Sequence, residues 1–296
     1  MFRRSYAADP GLADRVFDLL EVTFPGVGQA RDNGIRFGAT WESVSTPFVV
    51  RDGDRVLAHV GLMTMPLVVA GRPIVVGGVH GVATDPAVRR RGYFRGLIEE
   101  LLADTAARFP TLVLTTLHRE YFEPFGFRVV PESIFRARVA SGSGHPTART
   151  LDLADPSDHG LMHRLLASRA PVSTVLGVGA EKACWAFYEY RSPIRYLPEL
   201  DVAVIAVRRG RTLALYDVVG AAMPSLERIL AGLGESVDEV VTYFSPDRLD
   251  AAFRSEPHDL TGGPEALEPG ERDFVFMVRG PFAADGPLML PRPARC

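Results

Sequence analysis

Residues 83–102, ATDPAVRRRGYFRGLIEELL, set Arg89, Arg90 and Arg91 directly before Gly92 at the start of an amphipathic helical pattern. A helix start gathers unpaired backbone N–H groups beside the positive end of the macrodipole, so it attracts an anion before any side chain contributes. Guanidinium forks match phosphate oxygens, and Gly92 has no Cβ to hold a ligand away from the backbone. A pyrophosphate fits such a loop. The sequence has no GxxxxGK[ST] stretch and no GxGxxG after a first strand, which removes support from nucleoside triphosphate and dinucleotide readings. The plainer alternative is a solvated charge cluster. Against it stand an apolar strand pattern before the loop and a patterned helix after it.

The elements that must hold this loop are legible around it. A short strand is expected over residues 2–6, then a helix in GLADRVFDLLEVTF, whose Leu12, Val16, Phe17, Leu20 and Phe24 fall at helical spacing. An irregular, glycine-dotted segment, FPGVGQARDNGIRFGATW, precedes three strands of an antiparallel meander, turned at Asp52-Gly53 and Ala70-Gly71. The third strand, about residues 74–84, runs into the arginine loop and a helix to about Arg108. TLVLTT reads as a buried strand, and HREYFEPFGFRVV as a helical turn, a glycine and a strand. ASGSGHPTART has linker composition. The expected division is a domain over 1–140, a linker over 141–150 and a second domain over 151–296. In the second, strands at RTLDLAD, DVAVIAVRRG, RTLALYDVVG, DEVVTYF and DFVFMVR alternate with helices at SDHGLMHRLLASR, PSLERILAGL and PDRLDAAF. That order echoes the first half without a shared motif. The expected fold class is α+β (mixed α/β): a twisted mixed sheet flanked by helices, followed by a degenerate second copy.

GVHGVATDPAVRRRGYFRGLIEELL resembles motif A of the GNAT superfamily of N-acetyltransferases, a strand, an R/Q-x-x-G-x-G/A loop and a helix, with Arg89, Gly92 and Phe94 at the three motif positions. Phe94 departs from the usual small residue, as in the enhanced-intracellular-survival family, which shares the RRRG context and the tandem arrangement. TLVLTTLHREYFEPFGFRVV resembles motif B, with Gly126-Phe127 as its G-F pair. The resemblance covers about residues 1–140. It implies acetyl-CoA as co-substrate, with the main chain of Val82, Ala83 and Thr84 bonding the pantetheine arm like an added strand. Amides from Arg90 through Arg91, Gly92, Tyr93 and Phe94 to Arg95 would hold the pyrophosphate, and Leu117 and His118 would line the acetyl end.

Acetyl transfer to an amine needs a proton acceptor, a place for the oxyanion and a proton for the leaving thiolate. Relatives place a glutamate five residues before the D-P pair; here that residue is His80, a type suited to accept a proton near neutral pH. A strand histidine bonded to a neighbour is the bland alternative. Relatives place a tyrosine four residues before the motif-B glycine; here that residue is Phe122. Tyr121, His118, a water, or unaided departure of a thiol of pKa about 8.5 remain as sources of the proton. His59 reads as packed, and the remaining histidines lack metal-ligand spacing, so no metal is expected.

For the acceptor, the segment after the first helix carries Asp32, Trp41 and Glu42, carboxylates and an aromatic face suited to a cationic amine, or an incidental surface loop. The aromatic run EKACWAFYEYRSPIRY is core or the wall of an interdomain pocket. The second half has Gly220 but no basic cluster beside it, and no cofactor is expected there. The enhanced-intracellular-survival family uses its terminal carboxylate in catalysis, which leaves a role for that of Cys296 open. A net charge of -3 with 23% charged and 47% hydrophobic residues fits an ordinary soluble protein with no nucleic-acid partner. With no apolar run long enough to span a membrane and no secretory h-region in MFRRSYAADPGLADR, a cytoplasmic protein without a membrane partner is expected. A homo-oligomer is compatible with it. The favoured acceptor is an aminoglycoside-like antibiotic or polyamine. Acyl-CoA binding without transfer, as a sensor or structural partner, and acylation of a protein amine are the other readings.

Overall fold

A computed structural model of the chain describes residues 5–140, 146–180, 182–188, 193–258, 274–284 and 286–295. The chain runs α1 (Leu12–Thr23), α2 (Val27–Arg36), α3 (Trp41–Val44), β1 (Ser45–Asp52), β2 (Arg55–Val69), β3 (Arg72–Thr84), α4 (Tyr93–Thr105), β4 (Leu112–Thr116), α5 (Arg119–Phe122), β5 (Arg128–Val129) and β6 (Ser133–Arg138). It continues through β7 (Arg149–Thr150), α6 (Pro156–Ala167), β8 (Leu176–Val178), α7 (Ala183–Tyr188), β9 (Ile194–Leu197), β10 (Val202–Arg209), β11 (Thr212–Val219), α8 (Leu226–Leu233), β12 (Glu239–Thr242), β13 (Arg254–Pro257) and β14 (Val275–Arg279).

The strands form two mixed sheets. The first has the order β1-β2-β3-β4-β14-β5, with β8 added on β2; the second runs β13-β6-β12-β11-β10-β9-β7. In each, an antiparallel meander leads through one helix into a parallel partner: β3, α4, β4 in the first and β11, α8, β12 in the second. The echo between halves is therefore one of topology. α4 buries Leu97, Ile98 and Leu101 on one face of the first sheet with Phe48, Val60, Val79 and Leu114. α1 covers the other with Leu12, Val16 and Leu20 against Trp41, Val49 and Ala83. Sheets covered on both faces need continuous apolar strands, which is why β2 and β3 do not alternate cleanly.

Several expectations are corrected. Ser5 and Tyr6 are not in a strand, and residues 1–4 lie outside the described residues. The glycine-dotted segment forms α2; its Gly34 packs under Phe187, where a Cβ would come within 2.5 Å of the ring, so the glycine serves helix packing rather than a turn. PDRLDAAF makes turns instead of a helix, because Asp247 bonds Ser173 and Thr174 on the neighbouring segment. RTLDLAD contributes only the two residues of β7. The sheets also take strands from across residue 140: β6 lies in the second, while β14 is inserted in the first between β4 and β5. Residues 141–145 of the expected linker lie outside the described residues.

Candidate active site

β3 and β4 run parallel but pair only at Gly77–Leu112 and Gly78–Val113. Past these pairs β3 continues along β2 to Thr84, while β4 continues along β14 to Thr116. The strands part, and past Gly78 the edge of β3 turned toward β4 has no strand partner among the described residues, while its other edge stays paired with β2. Val82, Ala83 and Thr84 lie on this stretch.

The arginine loop closes one end of the gap. Asp85 accepts from the Ala87 N–H at 2.9 Å and from Arg55, fixing a turn over Pro86–Val88. Arg90 and Gly92 then take left-handed φ values of 66° and 82° to swing the chain into α4. A Cβ on Gly92 would meet nothing within 4 Å, so its requirement here is conformational. Gly92 caps α4 with no side-chain acceptor, and the first-turn amides of Tyr93, Phe94 and Arg95 stay open. By contrast Ser225 caps α8, accepting from the Arg228 N–H at 3.4 Å. Arg89, Arg90 and Arg91 are exposed, with Arg89 Nε donating to the Thr84 carbonyl at 3.3 Å.

At the end of β4, Leu117 and His118 are exposed. His118 Nδ1 lies 3.1 Å from Glu120 Oε1, and its ring stacks on Tyr121 at 5.0 Å. Tyr121 is exposed, whereas Phe122 is buried against Phe94 and Phe127. Glu120, absent from the sequence reading, carried a faint signal in its spacing from His118.

On the α1 face of β3, His80 is 7% exposed. Its ring lies over Gly61 of β2, where a Cβ would come within 2.7 Å of Nε2, and meets Trp41 at 4.6 Å. Burial, with His59 nearby, pushes its pKa down to about 3, so the imidazole is neutral at neutral pH. Trp41 is itself buried: its indole N–H donates to the Tyr6 hydroxyl at 2.8 Å, and Phe17, Phe187 and His80 take its ring. It is thus an inner wall beside His80 rather than an open aromatic face. Glu42 pairs with Arg31 at 3.2 Å, and Arg31 also pairs with Asp14; Asp32 is exposed on α2. The structure therefore brings Trp41 to His80 and leaves Asp32 and Glu42 on the outer surface. Of the aromatic run, Trp185 is fully buried, Phe187 reaches Trp41, and Tyr190 lies outside the described residues, as does Cys296.

Residues 7–130 match the family described as the acetyltransferase (GNAT) domain. Those residues are a GNAT acetyltransferase domain, and the chain is an acyltransferase. A probable N-acyltransferase from Enterococcus faecalis V583 is similar in fold, with a TM-score of 0.60 at 14% identity over 94% of this chain and 71% of that one. Eis1 from Mycobacterium abscessus gives 0.53 at 18% identity over 87% and 71% of the two chains. A GCN5-related N-acetyltransferase from Kribbella flavida gives 0.51 at 15% over 90% and 68%. By sequence, no functionally curated protein matches the chain. The GNAT domain ends at the edge of β5, so the match includes the parting strands and the loop but neither β6 nor β14. Among the described residues no group of three or more His, Cys, Asp or Glu is set to hold a metal, and no helix is long and apolar enough to cross a membrane.

Proposed function

We propose that the protein is an acetyl-CoA-dependent N-acetyltransferase that acylates a primary amine of a small polycationic molecule, with aminoglycoside-like antibiotics and polyamines as the substrate class. The observation that carries this reading is the parting of β3 and β4 past Gly78 beside the uncapped first turn of α4. A pantetheine arm laid along residues 82–84 would bring its diphosphate to the amides of residues 90–95, with the three arginines adding charge.

The amine attacks the thioester carbonyl carbon; the carbon–sulfur bond breaks, the thiolate leaves, and the amine loses a proton. His80 stands where the resemblance implies the proton acceptor, but burial holds its pKa near 3, so it is a weak base at neutral pH and the amine's proton passes to solvent. His118, oriented by Glu120, is the donor to the thiolate, in place of the tyrosine that Phe122 replaces. The exposed Asp18 and Asp32 on α1 and α2 suit a polycation.

The test is release of free coenzyme A from acetyl-CoA in the presence of a panel of aminoglycosides, polyamines and protein amines. Saturable release with the small polycations supports the reading. No amine-dependent release across the panel overturns it, and release with protein amines alone overturns the substrate class.

A further inference from the structure

β3 does not follow β2 in even register. His59 pairs with Ala83 but Gly61 pairs with His80, so β3 spends one more residue than β2 across this interval. The extra residue is a β-bulge at Gly81, which takes a left-handed φ of 56°. Bulges bend a strand and sharpen its twist. This one falls just beyond Gly78, the last residue of β3 paired with β4, where the two strands separate.

One side chain grips the bulge. His59 is fully buried, and its Nδ1 lies 2.6 Å from the Gly81 carbonyl oxygen. A carbonyl only accepts, so Nδ1 carries the proton and the ring is held in a single tautomer. The bond ties β2 to the irregular residue of β3 where regular pairing is interrupted. The packing leaves little slack. A Cβ on Gly81 would stand 3.3 Å from His59 Cε1 and 3.3 Å from the Trp41 ring. The second sheet also has a register break, between Ile205 and Ala206 opposite Leu215 and Asp217, but there Asp217 is held by Arg169 at 2.7 Å and no histidine is involved.

We infer that His59 is a positioning residue of the active site: by donating from Nδ1 to the Gly81 carbonyl it holds the β3 bulge, and with it the course of the Val82–Thr84 main chain that receives the pantetheine arm. His59 touches no substrate in this arrangement. It acts through Gly81, and the inference rests on the reading of residues 82–84 as the coenzyme site.

The experiment measures coenzyme A binding by calorimetry, together with thermal melting, for the full chain and three variants. His59→Leu removes the donor and keeps most of the bulk. His59→Asn keeps an N–H donor near the Nδ1 position. Gly81→Ala leaves the donor but crowds the bulge. His59→Leu is expected to weaken binding about tenfold, the loss of one buried hydrogen bond, and His59→Asn to return it to within about threefold of the wild type. If His59→Leu does not fold, Gly81→Ala carries the test and is expected to weaken binding similarly. Wild-type affinity in His59→Leu, or equal weakening in the Leu and Asn variants, overturns the inference. A wild-type chain that does not bind coenzyme A overturns the coenzyme site itself, which is a different result.

Discussion

Phe94 meets Phe122 edge to face, with ring centroids 5.5 Å apart and planes at 87°. Each stands at a position where the GNAT pattern has another type, a small residue in the loop and a tyrosine before the motif-B glycine. The two departures are one contact. Phe94 at the first turn of α4 fills space that Phe122 closes from α5, and Phe125 and Phe127 complete the cluster.

Restoring the tyrosine alone therefore does not restore an acid. Phe122→Tyr is expected to leave kcat unchanged and to lower stability by about 1–3 kcal/mol if its hydroxyl finds no partner. Thermal melting and steady-state coenzyme A release check this; a rise in kcat of tenfold or more would show that the position still opens onto the sulfur.

The arginine loop separates charge from geometry. Replacing Arg90 and Arg91 by serine is expected to weaken coenzyme A binding by about tenfold at low salt and by less at high salt, because exposed charges are screened. Gly92→Val is expected to act differently. A β-branched residue is strained at a φ of 82°, so binding weakens at every ionic strength and the loop itself moves. Equal salt dependence in the two variants would remove the distinction between guanidinium and amide contributions.

What the sequence made legible divides along local and nonlocal lines. The meander, its two turns, α4 and β4 were written in short-range periodicity, and so was the loop. α2 was hidden because Gly34 is there for contact with Phe187, a residue far along the chain. DFVFMVR read correctly as a strand, but nothing local says that it enters the first sheet between β4 and β5, with Phe276, Met277 and Val278 fully buried. His80 is singled out by the GNAT resemblance, which puts a glutamate at this offset from Asp85-Pro86. His59 was passed over as a packed residue, which it is; its bond to Gly81 depends on a register break that periodicity does not reveal.

The buried histidines make stability depend on pH in one direction. Burial lowers His59 to about 4 and His80 to about 3, below the ordinary value of 6.5. As pH falls below about 6.5 the unfolded chain binds protons that the folded one refuses, so stability falls through that window and is flat with respect to these groups above it. His80→Leu is expected to flatten the fall in melting temperature between about pH 6.5 and pH 4 relative to wild type. Parallel curves would mean that His80 is not held neutral in the fold.

The second half shows how a copy of the same topology is closed. β11 and β12 last pair at Leu215–Thr242, and two residues on stands Asp217, just as His80 stands two residues past Gly78. Asp217 and Arg169 are both fully buried and joined at 2.7 Å. An ion pair there fills the place that the first sheet leaves to its histidine, and Ser225 caps the helix that follows. Asp217→Ala strands the guanidinium and is expected to destabilise the fold by about 3–5 kcal/mol, whereas the double change Arg169→Met, Asp217→Leu is expected to recover most of it. Denaturant melts measure both. Coenzyme A affinity should be unchanged in the double variant, and a loss of tenfold or more there would place a second coenzyme-responsive site in this half of the chain.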